Sequence, residues 1–206
     1  MKITIVDYGM GNIKSIIGAL KYLEVEEITV SNNLSELVSA DKLILPGVGS
    51  FAMAMSNIKK LNLDKYLKET VIVDKKPILG ICLGMQLMTE KSEEGNLKGL
   101  CWIKGETKKF NFSHLSNPIK VPHMGWNYTD VVNKNILFSN SVSKQRFYFV
   151  HSYYVKLYSI DQINTKTQYG IEFTSSFSLN NIYGVQFHPE KSHKYGLSLL
   201  KKYCEI

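Results

Sequence analysis

Pro77-Ile78-Leu79-Gly80-Ile81 is apolar throughout and runs without a linker through Cys82-Leu83 into a helical stretch from Gly84 to Lys91. A strand with no polar face must be covered on both sides, as at the centre of a parallel sheet. Upstream, the same alternation repeats. Ile3-Thr4-Ile5-Val6 is a β-rich run ended by Asp7-Tyr8-Gly9. Asn12 then stands where a helix cap belongs, and Ile13, Ile16, Ile17 and Leu20 share one face of a helix to about Leu23. Glu27 to Val30 reads as a strand, Leu34 to Ala40 as a short helix, and Lys42-Leu43-Ile44-Leu45 as a strand stopped by Pro46-Gly47-Val48-Gly49. Phe51 to Val73 keeps helical periodicity. Such alternation predicts an α/β fold with a mostly parallel central sheet flanked by helices.

Past Gly99 the pattern changes. Thr107 to Phe110, Arg146 to Val150, Tyr153 to Leu157, Ile171 to Phe177 and Ile182 to Phe187 follow one another as strands, predicted to add antiparallel pairs in the C-terminal half. Ser192 to Tyr203 reads as a closing helix. With 206 residues and no internal repeat or linker, a single domain over 1–206 is expected.

Lys and Arg number 25 against 18 Asp and Glu, a net charge of +7. This raises the question of nucleic acid. Only Arg146 is an arginine, and the lysines are scattered, whereas base reading and stacking favour Arg. The expectation is a solvated lysine surface and no nucleic-acid partner. No apolar run approaches the roughly 18 residues of a membrane span, and the apolar start, Met1 to Val6, is too short for a signal peptide. Cys82, Cys101 and Cys204 have neither disulfide nor zinc spacing, so a reducing cytoplasm is expected. His114, His123 and His193 have no metal-ligand spacing. No metal or cofactor is expected. Cys101 and Cys204 are assigned to packing.

Gly80-Ile81-Cys82-Leu83-Gly84 joins the apolar strand to a helix, as the G-x-S-x-G nucleophile elbow does. Small neighbours allow the sharp turn, and the helix start offers free N–H groups to a thiolate or an oxyanion. A small buried cysteine would give the same local pattern. The second signal is Gln186-Phe187-His188-Pro189-Glu190. Pro189 favours an extended His188, and residues i and i+2 of an extended chain share a side. Glu190 is thereby expected beside the His188 imidazole. A cysteine, a histidine and an orienting carboxylate compose a nucleophile, its base and its orienter.

Together with Asp7-Tyr8-Gly9-Met10-Gly11-Asn12, Pro46 to Gly49, Gly80 to Gln86, Pro122-His123-Met124-Gly125-Trp126-Asn127, His151-Ser152-Tyr153 and Lys191-Ser192, these segments make the chain resemble the class I, triad-type glutamine amidotransferases over essentially its whole length. Within them it is similar to the glutaminase subunits that feed the cyclase forming imidazole glycerol phosphate in histidine biosynthesis. The resemblance implies that Cys82 attacks the glutamine carboxamide to give a γ-glutamyl thioester and ammonia. It implies His188 as proton carrier and Glu190 as its orienter. The N–H of Leu83 and one from Gly47-Val48-Gly49 would meet the oxyanion; Gln86, His151, Ser152 and Tyr153 would hold the substrate, with Gly47 beside them. Asn12, Trp126 and Lys191 match positions that face a (β/α)8-barrel cyclase in a heterodimer. For His151 a purely structural role stays open, as it does for Trp126 in a core. Three other functions stay open as well: the same chemistry feeding a synthase of surface-sugar amidation, a stand-alone cysteine peptidase or γ-glutamyl hydrolase, and a non-catalytic binding module.

Overall fold

Successive residues of the short apolar strands face opposite ways, and this alternation divides the interior into two layers. In the computed structural model, residues 1–113, 119–139 and 144–206 are described; His114 lies outside them. The N-terminal half comprises β1 (Lys2–Val6), α1 (Ile13–Tyr22), β2 (Glu27–Ser31), α2 (Leu34–Ser39), β3 (Lys42–Leu45), α3 (Phe51–Lys60), α4 (Leu63–Leu67), β4 (Ile78–Ile81) and α5 (Leu83–Leu87). Then follow β5 (Thr89–Ser92), β6 (Leu97–Lys98), β7 (Ile103–Lys109), β8 (His123–Val131), β9 (Lys144–His151), β10 (Tyr153–Leu157), β11 (Ile163–Tyr169), β12 (Ile171–Leu179), β13 (Ile182–Val185) and α6 (His193–Glu205).

Strands β2, β1, β3, β4 and β13 are neighbours in that order, and all four pairings are parallel. From β13 the sheet continues through β12, β10, β7, β5 and β6, while β11, β8 and β9 branch from β12 by antiparallel pairing. Ile3, Ile5, Ile44, Leu79 and Ile81 pack under α1 and α6 with Ile16, Leu20, Leu200 and Tyr203. Val6, Leu43, Leu45 and Ile78 pack on the other face with Leu37, Phe51, Ile58 and Leu67. Every residue of β3, β4 and β13 is buried. The α/β expectation with a mostly parallel sheet therefore stands.

Several local expectations are corrected. Ile182 to Phe187 is not simply an added antiparallel strand: β13 pairs parallel to β4 and antiparallel to β12, so it joins the two halves. The helix expected over 51–73 breaks at Asn62, whose φ of 55° lies in the left-handed region, and it resumes as α4 and a π-helical turn. The helix expected over 84–91 stops at Leu87. The Thr89 hydroxyl donates to the Gln86 carbonyl at 2.8 Å, and β5 begins there, paired with β7. Asn12 makes no side-chain cap bond to α1. Strands β8 and β11 were not expected, and Cys101 is exposed rather than packed.

The elbow requires its glycines. A Cβ on Gly84 would lie 1.9 Å from the Leu45 carbonyl oxygen, and one on Gly80 would lie 2.8 Å from the Met85 nitrogen. Gly84→Ala is expected to cost at least about 2 kcal/mol, because β3 and α5 must separate. In contrast, a Cβ on Gly18, exposed in the middle of α1, would meet nothing within 4 Å. Gly18→Ala is expected to stabilise by about 0.5–1 kcal/mol through helix propensity. Urea melts of the two variants check both signs.

Candidate active site

Chain continuity from β4 into α5 places Cys82 at the carboxyl end of the central strands, where open α/β sheets bind ligands. Cys82 has φ 54° and ψ −109°, an unusual conformation for a residue with a Cβ. It is held by its N–H donating to the Val185 carbonyl at 2.8 Å. The side chain is 6% exposed and opens on a cavity of about 310 Å³. Val48, Gly49, Leu83 and Gln86 line one side of this cavity; His151, Ser152 and Tyr153 line the other. Gly47 lies just behind, where a Cβ would come within 2.6 Å of the Tyr8 hydroxyl.

His188 and Glu190 approach from the protein interior, and each side chain is 1% exposed. His188 is extended, as expected, but Glu190 lies in a 3-10 turn, Pro189–Lys191. That turn brings Glu190 Oε1 to 2.9 Å from His188 Nδ1. The opposite nitrogen, Nε2, is buried and makes no hydrogen bond. Burial pulls the imidazole pKa down, but the adjacent Cys82 and the hydrogen-bonded Glu190 outweigh it and raise the pKa above the ordinary histidine range. The protonated ring is thus favoured next to the sulfur.

The turn is fixed by Ser192, Tyr148 and Gly196, to which no role was assigned from sequence, and by Asn12, read there as a cap and an interface residue. Ser192 Oγ donates to the His188 carbonyl at 2.6 Å and accepts from the Tyr148 N–H at 3.0 Å. His188 N–H donates to the Tyr148 carbonyl at 2.8 Å. A Cβ on Gly196 would lie 1.8 Å from the Pro189 carbonyl oxygen, so α6 packs directly onto the turn. Asn12 Nδ2 donates to Glu190 Oε1 at 3.2 Å, while its Oδ1 accepts from Ser15 Oγ at 3.0 Å. Asn12 therefore steadies the carboxylate from α1's first turn.

The donor expected at Leu83 is not open. The Leu83 N–H points at the Gly47 carbonyl at 3.4 Å, a long bond but an occupied one. Glu94, which the sequence reading passed over, also lines the cavity and accepts from the Phe51 N–H at 3.0 Å. Its signal was available only as a carboxylate in a turn following β5.

His151 is part of a buried chain. Its Nδ1 donates to the Tyr153 carbonyl at 2.7 Å, its Nε2 accepts from His123 Nδ1 at 2.9 Å, and His123 Nε2 accepts from Asn127 Nδ2 at 3.1 Å. Since Tyr153 O can only accept, both rings are set as neutral Nδ1–H tautomers. Burial lowers the His123 pKa to about 4, and burial together with His123 lowers that of His151 to about 3. The structural role left open for His151 is thus present, alongside its place in the cavity wall.

Trp126 and Lys191 are exposed beside this centre. Trp126 stacks on His193 at 5.3 Å and lies under the Arg146 guanidinium at 5.4 Å; Lys191 Nζ is 5.9 Å from the Tyr148 ring, which Trp126 meets edge-on. Trp126 is not a core residue. Among the described residues no group of three or more His, Cys, Asp or Glu is arranged to hold a metal, and no helix is long and apolar enough to cross a membrane.

The Glutamine amidotransferase class-I profile matches residues 4–204. The chain is 51% identical over 203 residues to "Imidazole glycerol phosphate synthase subunit HisH 2" of Methanococcus maripaludis, covering 98% of each. It is 44% identical over 205 residues to "Imidazole glycerol phosphate synthase subunit HisH 1" of Campylobacter jejuni, covering 99% of this chain and 100% of the relative. Among solved structures, a glutamine amidotransferase superposes with TM-score 0.75 at 14% identity, covering 98% of this chain and 97% of its own. The PurLQS structure from Thermotoga maritima gives 0.69 at 17%, covering 99% and 97%. The last two show shared fold.

The neutral histidine pair predicts acid sensitivity. Unfolded, each ring binds a proton near its model value of 6.5; folded, it does so only near 4 or 3. The pair's contribution to stability is therefore complete above about pH 6.5 and falls as pH drops, by up to about 1.4 kcal/mol per unit and per histidine. His188, with its raised pKa, acts with the opposite sign: well below pH 6.5 it is charged in both states and adds no slope, while above that only the folded ring stays charged and its contribution is lost as pH rises. Urea midpoints at pH 7 and 5 check this, and His123→Gln should flatten the dependence; an unchanged slope would contradict it.

Proposed function

The chain belongs to the class I glutamine amidotransferase family, and on that premise we propose that it is a glutaminase subunit, one that hydrolyses L-glutamine to L-glutamate and ammonia for a synthase subunit making imidazole glycerol phosphate in histidine biosynthesis. Full-length identities of 40–51% to curated subunits of that synthase support the pathway. The observation that carries the chemistry is two-sided access to one sulfur. The cavity reaches Cys82 from solvent, while His188, fixed by Glu190 at 2.9 Å, keeps Nε2 unpaired on the buried side.

On this reading Cys82 attacks the carboxamide carbon as a thiolate. His188 holds the thiol proton as an imidazolium and delivers it to the departing ammonia. It then takes a proton from the water that cleaves the thioester. Glu190 keeps Nδ1–H oriented and balances the ring's positive charge. Glu94 is the carboxylate in the cavity suited to the α-ammonium of glutamine, and Gln86, His151, Ser152 and Tyr153 complete the wall. The oxyanion requires the Leu83 N–H, joined by that of Val48 or Gly49, and so requires the Gly47 carbonyl to turn away. The 1–206 chain acts as one amidotransferase domain, with no cofactor, in a reducing cytoplasm where a free thiol survives.

Ammonia loses its nucleophilicity when protonated, so release into a docked partner is the productive route. The partner is a (β/α)8-barrel cyclase forming a heterodimer, docked on the face that carries Trp126, Lys191 and Asn12. An exposed Trp with an adjacent Arg is a common interface anchor. Neither nucleic acid nor membrane enters this scheme.

Cys82→Ala and His188→Ala are expected to abolish ammonia release, and Glu190→Ala to leave a residual rate. With Leu83 N–H occupied, the chain alone should hydrolyse glutamine at least about a hundredfold more slowly than when partner and nucleotide substrate are bound, as expected for a missing oxyanion donor. Coupled glutamate-release assays with and without a cognate cyclase check both. Full activity of the isolated chain would instead favour a stand-alone hydrolase.

A further inference from the structure

Two glutamine side chains are buried beside the nucleophile, Gln86 at 4% exposure and Gln186 at 0%. Gln86 Nε2 donates to the Tyr153 carbonyl at 3.0 Å and to Gln186 Oε1 at 3.0 Å. Gln186 Nε2 in turn lies 3.6 Å from the Cys82 sulfur. The direction of each bond follows from its neighbours. The Tyr153 carbonyl can only accept, so Gln86 must face it with its amide NH₂. The second hydrogen of that NH₂ requires an acceptor, and Gln186 supplies its oxygen. This turns the Gln186 NH₂ to the sulfur. Flipping either amide would set oxygen against oxygen or nitrogen against nitrogen inside the protein, where an unmatched polar contact costs about 1–3 kcal/mol.

The sulfur thus sits between two groups of opposite preference. The Val150 carbonyl, 3.8 Å away, suits a thiol that donates; the Gln186 N–H suits a thiolate that accepts. We propose that Gln186 is a further catalytic residue, whose buried amide donates to Cys82 Sγ and stabilises it as the attacking thiolate, and that Gln86 is the positioning residue that keeps this amide in its donating orientation. The inference rests on the reading of Cys82 as the nucleophile. A hydrogen bond to an ionised acceptor is stronger than a neutral one. The donor reaches the sulfur laterally, leaving the cavity side free for substrate and His188 free to move the proton.

Other titratable groups around the sulfur are His188 with Glu190 behind it, Tyr8 from the loop after β1, and Glu94 and His151 across the cavity. None of them is altered by substituting Gln186. The test is the pH dependence of Cys82 alkylation by iodoacetamide in the full chain, in a Cys101→Ser/Cys204→Ser background that removes the other two thiols. Gln186→Met should move the midpoint of thiolate formation up by about one unit, a tenfold loss of alkylation rate below it. Gln186→Glu, isosteric but an acceptor, should move it further. Gln86→Met should give a smaller shift in the same direction. A midpoint unchanged in whichever of these variants melts like the parent overturns the proposal. Alkylation needs no glutamine, so the two readings fail separately. An unchanged midpoint with normal ammonia release removes the Gln186 donor alone; a shifted midpoint in a chain that never releases ammonia, with or without its partner, removes the glutaminase and keeps the donor.

Discussion

Everything at the site depends on how closely the strand-to-helix turn at Cys82 approaches the neighbouring strand. The turn is possible only because Gly84 lies against the Leu45 carbonyl, where a Cβ would be 1.9 Å away, and because Gly80 lets the helix fold back over its own strand. With these contacts made, Cys82 is forced to φ 54° and its sulfur is aimed out of the sheet's carboxyl edge. The same approach brings the Leu83 N–H within reach of the Gly47 carbonyl. The aim of the sulfur and the engagement of the Leu83 N–H are thus set by one backbone geometry. Pairing of β13 beside β4 completes the site: it delivers Gln186 and His188 to the same edge from a distant part of the sequence.

What could be read from sequence follows from where the signal is local. The elbow is a five-residue steric pattern, and the His188–Glu190 pair is separated by one proline, so both were legible. The detail of the pair was not: the carboxylate is brought over by a 3-10 turn, and its position depends on Ser192, Gly196 and Asn12. Asn12 shows the limit clearly. A residue preceding a helix reads as a cap, but the Asn12 Oδ1 that would cap accepts from Ser15 Oγ instead, and its Nδ2 donates to the buried Glu190 carboxylate from the other end of the chain. Charge-assisted bonds are the stronger kind.

The strands that escaped notice fail for a different reason. β11 runs Ile-Asn-Thr-Lys-Thr-Gln-Tyr, and its inward residues include Asn164, Thr165 and Thr167. Thr165 shares its hydroxyl with Ser175 and Ser176 at 2.8 and 2.7 Å. Hydroxyl pairing replaces apolar packing there, so no hydrophobic alternation marks the strand. β8 likewise alternates around Gly125 with polar and aromatic residues, because one of its faces carries the exposed Trp126 and Tyr128 while the other buries His123 and Thr129. The +7 charge proved uninformative for chemistry: the charged groups at the cavity and its rear are His188, Glu190 and Glu94, and the lysines other than the buried Lys42 of β3 lie at or near the surface, with Lys191 set next to the site.

The Leu83–Gly47 contact sets a lower bound on the coupling proposed with a partner. At 3.4 Å it is a weak hydrogen bond, with a net worth of about 1 kcal/mol or less. An oxyanion donor contributes about 3–4 kcal/mol to the barrier. This bond alone would slow an isolated chain only several-fold, so the hundredfold difference proposed above, about 2.7 kcal/mol, requires the rest of the Gly47–Gly49 segment to resist the turn as well. Gly49, at φ 101°, is a second position at which this segment can pivot without a Cβ penalty. The sulfur faces the cavity in the same backbone geometry that turns the Leu83 N–H onto the Gly47 carbonyl, so on the proposed mechanism the step left to a partner is a movement of the backbone and not of the nucleophile.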